Sequence, residues 1–534
     1  MISRAPEGAS QEQASFTRGS RTRLVGVATF GVTLLAALLL FAFTSWLEGV
    51  SYAWQHGLYL WAARLDTGSA LNTLSNAAEV VAAVLAIAIT VVAIVVELAA
   101  NRYTHRITQL FVREPFNALV MGFFVVTAIQ CLWVSASLSD APADDAVIPY
   151  AGVLTAMGMV TGSLLLLLPY FAYVFAFLNP INVVRRLAHH AYRAVERASR
   201  RALPQMRAEA IEGIEELEDV ALNAMEHKDR AITMACITAL AEILVEYQRL
   251  CRDLPDEWFR IEGSLLHDAD FVSMSPMLVD EIQEQRTWFE IKVLRQYHAL
   301  FTESLNRMRD VSYLIALNTR KIANLGRQDG DDLFDVSVRF FNSYLRAAIN
   351  ASDVRTAYYV LHQYRILAES KLTATGGARA IRIAQHLRFY GQLAFTQKMP
   401  FLLEAVAYDL SLVVEKAVTE EHPATDALLD VFLQVDRESD SVEQETRLLG
   451  VRRAQVQLAT FLLVRGDTKR ARSVFDDMAD EKAERLISIR EELLAEVEPL
   501  YWELTDRGVN FAYLPPERRA RVAEFFEWFG DRLD

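Results

Sequence analysis

The chain has 534 residues, 52% of them hydrophobic and 23% charged, with a formal net charge of −14. It is too apolar for an ordinary water-soluble protein and too charged for one confined to lipid, so an apolar part joined to a soluble part is expected. The acidic balance excludes nucleic acid as an expected partner, because phosphate binding needs a basic footprint.

The chain opens on a tail, residues 1–23, that carries Arg4, Arg18, Arg21 and Arg23. Residues 24–180 hold four apolar segments, near 24–46, 79–99, 116–136 and 149–178. Each has the roughly 20 residues that a membrane-crossing helix needs. The first ends in FAFTSW, without a small-residue cleavage site, and reads as a retained anchor. Arginines gather in the tail, after the second segment (Arg102, Arg106, Arg113) and after the fourth (Arg185, Arg186, Arg193). The other two connections carry Glu48, Arg64 and Asp66, then Asp140, Asp144 and Asp145. That bias predicts a multi-pass protein of the cell membrane with both termini in the cytoplasm. Trp46, Tyr52, Trp54, Tyr59 and Trp61 predict that residues 47–75 lie partly along the outer membrane surface.

Two of the segments carry rows of small residues. In the second, Ala82, Ala86, Thr90, Ala93 and Glu97 fall within about 80° on a helical wheel, which predicts a packing face ending in a carboxylate at the cytoplasmic edge. Asn101 and His105 extend the same stripe. In the fourth, Ala151, Thr155, Gly158 and Gly162 recur at four, three and four, a spacing that lets helices approach closely in lipid. Pro169 farther along predicts a kink. Two readings of Glu97 stand: an ion pair with Arg185 or Arg186, or a hydrogen bond to Asn101, that fixes the bundle, or a functional group on a pathway, since ionisable groups in a membrane are expensive.

Residues 181–204 read as a basic juxtamembrane helix, in which Arg185, Arg186, Arg193 and Arg197 meet anionic headgroups together with Arg102, Arg106 and Arg113. His189 and His190 diverge by about 100° on a helix and make a poor joint metal site. Past Pro204 the charge reverses through Glu209, Glu212, Glu215, Glu216, Glu218 and Asp219, expected to form a solvated helix face.

Residues 205–534 read as a cytoplasmic α-helical domain, with apolar positions recurring at three and four. Helical hairpins are predicted at Lys228-Asp229, Ser352-Asp353 and Gly466-Asp467, where the aspartate caps the second helix and Ala231, Ala357 or Ala471 follows at a close approach. These turns lie 124 and 114 residues apart, which gives no short period. Phe525, Phe526, Trp528 and Phe529 are expected to dock on the domain's own core. Cys131, Cys236 and Cys251 read as buried thiols with no disulfide or metal spacing. A phosphate loop, HExxH, CxxC and GxSxG are all absent from the sequence, so neither an enzyme nor a cofactor is expected.

Two resemblances add to this. The hairpin around Gly466, with Ala459, Ala471 and Phe475, resembles a tetratricopeptide-type unit. The stretch from Thr90 to Asn117, with Leu187-Ala188-His189-His190 after the last apolar segment and ALNAMEHKDRAITMACITALAEIL beyond, resembles a family of bacterial multi-span membrane proteins of unknown function. That resemblance implies no activity. The expected fold is all-α: a four-helix transmembrane domain followed by a large, repeat-like domain of irregular α-hairpins. The expected function is a membrane-anchored interaction or sensory scaffold with protein partners, assembled as a homo-oligomer. The alternative is an oligomeric ion channel or transporter whose path is lined by the second and fourth segments.

Overall fold

A computed structural model describes residues 67–102, 108, 111–112, 114–139, 150–198, 203–263, 265–325, 332–373, 376–436, 448–501 and 507–530. The expected first apolar segment, 24–46, lies outside them. The chain forms two compact units, Met1–Arg186 and Leu187–Asp534, and the described elements are helices, with one isolated bridge between Leu500 and Val509.

In the first unit, α1 (Thr67–Arg102) packs on α2 (Pro115–Ser139) and α3 (Tyr150–Phe177). The inward row of α1 is Ala70, Leu74, Ala78, Val81, Ala88, Val92 and Val96. Its first three residues meet Cys131 and Val134 of α2 and Val153 and Ala156 of α3. The helix therefore starts at Thr67 and includes residues 67–75, while residues 47–66 lie outside the described residues. The reason is this amphipathic start: Ala70, Leu74 and Ala78 already need covering, although Asn72, Ser75 and Asn76 between them dilute the hydrophobicity. Ile87, Leu98, Leu119, Trp133, Leu168 and Phe175 stand exposed on the outside, as an apolar solvent requires. α1, α2 and α3 are long and apolar enough to cross a membrane. A fourth helix, α6 below, also qualifies by length and composition, but half of it is buried inside the second unit.

Helix α4 (Pro180–Ala198) runs across the division between the units and is strongly two-faced. Val183, Val184, Leu187, Ala191, Ala194 and Val195 are buried, while Arg185, Arg193 and Arg197 are exposed. In the second unit, Gly213 of α5 (Leu203–Glu226) lets that helix meet α4: a Cβ there would stand 2.8 Å from the Ala191 Cβ.

The rest of the second unit is a two-layered stack of helical hairpins. One layer runs through α5, α8 (Trp288–Ser304), α10 (Asp332–Asn350), α12 (Gly377–Thr396) and α14 (Thr425–Leu433). The other runs through α6 (Arg230–Leu250), α9 (Arg309–Ala323), α11 (Val354–Ser370), α13 (Pro400–Thr419) and α15 (Leu449–Val464), each packing on the next. A short helix, α7 (Pro276–Gln285), precedes α8. At the far end α16 (Thr468–Met478), α17 (Ala483–Ala495), α18 (Pro516–Arg519) and α19 (Val522–Glu527) close the stack. There Phe525, Phe526 and Phe529 are buried, with Phe475 packed against Phe529 at 4.7 Å between centroids. Arg507 clasps the fully buried Asp409 of α13 through two hydrogen bonds of 2.9 and 3.0 Å.

The expected turns at Lys228-Asp229, Ser352-Asp353 and Gly466-Asp467 are present, and each aspartate accepts a backbone N–H of the helix it starts. Ala357 and Ala471 are fully buried at close approaches, but Ala231 is exposed, one position off the face that α6 buries. Two further turns of the same kind sit at Asn306 and Lys398, each with a left-handed residue at its start. Asn306, Ser352 and Lys398 are spaced 46 residues apart, so these three hairpins do share a period. It is longer than the roughly 34 residues of a tetratricopeptide unit. Bonds between residues about one period apart tie the stack together. Lys416 donates to the Glu369 carbonyl at 3.0 Å, Arg465 to Thr419 at 3.0 Å, and Arg382 pairs with Asp335.

Asp353, 2% exposed, is the most connected of these joints. It accepts from the Thr356 N–H (3.1 Å) and hydroxyl (2.8 Å) within its own hairpin, and from the Asn306 N–H (3.0 Å) of the preceding one. Asp353→Ala removes a cap and leaves buried donors unpaired, so a loss of about 2 kcal/mol is expected in thermal or urea unfolding. Asp353→Asn should recover part of it, and an unchanged midpoint for Asp353→Ala would contradict the joint.

Candidate functional site

In the first unit the row of Ala82, Ala86, Thr90, Ala93 and Glu97 lies on the exposed side of α1, opposite the buried row. The Thr90 hydroxyl bonds back to the Ala86 carbonyl at 2.8 Å, and among the described residues no side chain pairs with Glu97. Asn101 ends the helix beside Arg102, whereas His105, Arg106 and Arg113 lie outside the described residues. Gly158 is exposed with open space where its Cβ would be; a Cβ on Gly162 would lie 3.6 Å from the Phe123 ring, and Pro169 lies within the continuous α3. The interior polar contacts involve other residues. The Ser163 hydroxyl donates to Thr127 at 3.1 Å, and the Tyr170 hydroxyl to Asn117 Oδ1 at 2.5 Å. Arg186 stacks 3.7 Å over the Phe177 ring, and the carboxylate whose charge acts on it is Glu114. Glu114 and Asn117 escaped sequence reasoning because neither belongs to a periodic row.

In the second unit the acidic run of α5 is not simply a solvated face. Lys292 of α8 is 1% exposed, and its ammonium reaches Glu215 (2.6 Å), Asp268 (2.9 Å) and Asp270 (2.7 Å). Burial opposes its charge, but the bonds to those carboxylates outweigh it and raise the lysine above its ordinary range. Glu218, one turn from Glu215, is half-buried beside this set. Burial first, then the negative charges of Asp270 and Asp219, push its carboxyl up to about 7. No local signal tells of Lys292, which lies 77 residues beyond Glu215 and 24 beyond Asp268.

The second layer of hairpins carries an open cavity of about 590 Å³ where α6, α9 and α11 begin side by side. Arg230 is the first residue of α6, Arg309 the first of α9 and Arg355 the second of α11; Arg307 joins them from the turn before α9. Tyr313 and Tyr359, edge to face with centroids 5.4 Å apart, form one wall, continued by Met234, Leu314 and Leu317. Arg230 bridges to Asp310 of α9 at 2.9 Å, Arg309 reaches Asp353 at 3.6 Å, Arg307 pairs with Glu303, and Arg355 donates to the Tyr359 hydroxyl at 3.0 Å. The guanidinium groups of Arg230, Arg307 and Arg309 remain largely exposed despite these contacts. In the sequence these arginines are scattered over 126 positions in separate hairpins, and only the stacking gathers them.

Residues 27–244 match the model of a family described as "Predicted membrane protein (DUF2254)", a family of unknown function. The match covers α1 to α5 and ends within α6. No curated protein and no solved structure matches the chain. With its four apolar helices, the chain is a membrane protein.

The raised Glu218 carboxyl fixes a pH signature. Unfolded, the group titrates near its ordinary 4.5; folded, near 7. Its contribution to stability is therefore complete below about 4.5 and is lost as pH rises through about 7, where the folded state must ionise it beside Asp270, Asp219 and Glu215. Glu218→Gln should raise the melting temperature of the full chain in detergent at about pH 8 and leave it nearly unchanged at about pH 5. Equal shifts at both values would rule out the raised carboxyl.

Proposed function

We propose that the protein is a membrane-anchored helical scaffold. The apolar helices fix the hairpin stack at the inner face of a bacterial membrane, both termini lie in the cytoplasm, and the stack recruits protein partners. The observation that carries this reading is the two-layered stack itself. Stacked hairpins expose long, continuous surfaces that contact other proteins in many sequence contexts. The exposed Arg185, Arg193 and Arg197 on the two-faced α4 suit anionic headgroups of the cytoplasmic leaflet, in keeping with the arginine bias of the connections. In this reading the chain binds and does not catalyse.

Cross-linking in intact cells followed by purification should enrich specific proteins with the full chain. The enrichment should vanish when residues 205–534 are removed, while the remainder still fractionates with membranes. Only background proteins with the full chain would overturn the scaffold.

A second reading rests on the small-residue row of α1. In the single chain Ala82, Ala86, Thr90 and Ala93 are exposed, a surface that self-association would cover, with Glu97 at its end. An oligomer conducting ions along it should give flux in liposomes that Glu97→Gln reduces severalfold. A monomer without flux under any ion gradient would end that reading.

A further inference from the structure

The geometry points to the arginine-lined cavity at the start of α6, α9 and α11 as a binding site for a small phosphate-bearing molecule with a flat ring, of the nucleotide class. This goes beyond the scaffold reading and does not depend on it.

The first ground is charge. The second unit lies in a chain with 68 acidic residues against 54 basic ones, yet four guanidinium groups converge here. The carboxylate lining the cavity is Asp310, with Glu303 and Asp353 engaged at its edges. Guanidinium forks pair bidentately with carboxylate and phosphate alike, and a phosphate group, with more oxygens and more charge, can engage several of these forks at once.

The second ground is that the arginines sit where local physics disfavours them. The start of a helix is its positive end, and a cation there is unfavourable. Arg230, Arg309 and Arg355 all accept that placement, on three neighbouring helices of 21, 15 and 17 residues. An anion in the cavity turns each of these unfavourable placements into a favourable one. Asp310 shows the preference within the chain, because it reaches across from α9 to Arg230 of α6 and stands where a ligand oxygen would.

The third ground is shape. About 590 Å³ suits a small organic ligand, within the ~300–1,000 Å³ of such sites. A wall of Tyr313, Tyr359, Met234 and Leu317 offers a ring an aromatic and apolar surface that free phosphate would not use.

The test is calorimetric titration of the full chain in neutral detergent with ATP, inorganic triphosphate, inorganic phosphate, a hexaglutamate peptide and vesicles containing anionic lipid. ATP should bind, triphosphate about tenfold more weakly for lack of the ring, and binding should weaken with added salt. Arg309→Gln with Arg355→Gln should cut ATP affinity at least about tenfold. Asp310→Asn, which removes the internal competitor, should tighten it severalfold. This gain cannot come from a misfolded chain, and an unchanged melting temperature checks the arginine variant. The proposal is overturned by no heat with ATP, by ATP binding that none of these substitutions moves, or by arginine-dependent binding of hexaglutamate or anionic vesicles alone. Loss of cross-linked protein partners with ATP binding intact would remove the scaffold and leave this site standing.

Discussion

A two-helix hairpin cannot bury its own apolar faces, and that constraint organises the second unit. Tyr344 of α10 and Tyr364 of α11 are fully buried, yet both need neighbours from other hairpins. Tyr344 stacks on Phe301 of α8 at 4.6 Å, and Tyr364 bonds to His386 of α12 at 2.8 Å. Each hairpin is thus finished by the one before and the one after. The turns inherit the same geometry, because the second helix of each hairpin must leave in the same direction to meet the next. A left-handed residue at Asn306, Ser352 and Lys398 sets that direction, at the modest strain such a backbone carries in a residue other than glycine.

This explains which parts of the stack were legible in the sequence. The turns at Asp229, Asp353 and Asp467 announce themselves because a cap acid stands before an apolar run. Those at Asn306 and Lys398 do not. Met308 and Met399 occupy the cap positions without a side-chain bond, and Pro400 starts its helix through a fixed φ. Missing those two turns hid the 46-residue spacing, and spacings of 124 and 114 looked aperiodic. The three apolar helices were readable to within three residues at five of their six ends, because uniform hydrophobicity is a one-dimensional signal. The start of α1 was not, since there burial depends on one face alone. The same holds for its small residues: a helical wheel shows that they share a face, but not that α2 and α3 take the other one.

Long-range electrostatics was the least legible layer. A run of six acids reads as solvated unless the sequence reveals a buried cation, and Lys292 sits within an apolar stretch, Phe289–Leu294, with nothing to mark it. A buried ammonium is tolerable only with its hydrogen-bonding capacity filled, and Glu215, Asp268 and Asp270 fill it. Glu218, beside this set, resists ionisation first because it is buried and then because Asp270 and Asp219 stand near it.

The lysine set and the arginine cavity use the same chemistry with opposite balance. Around Lys292 acids outnumber the single cation, its ammonium is sealed from solvent, and all three of its donors are engaged, so nothing further can enter. In the cavity the cations outnumber the acid and are exposed, and a guanidinium carries five N–H groups. A closed set of this kind fixes α8 to α5 and contributes to shape. An open one leaves donors directed into a space of defined size, at the positive ends of three helices whose packing already holds the arginines together. Donor surplus, exposure and fixed position are what separate a ligand site from a structural ion pair. Among the described charge clusters of the second unit, the start of α6, α9 and α11 combines all three.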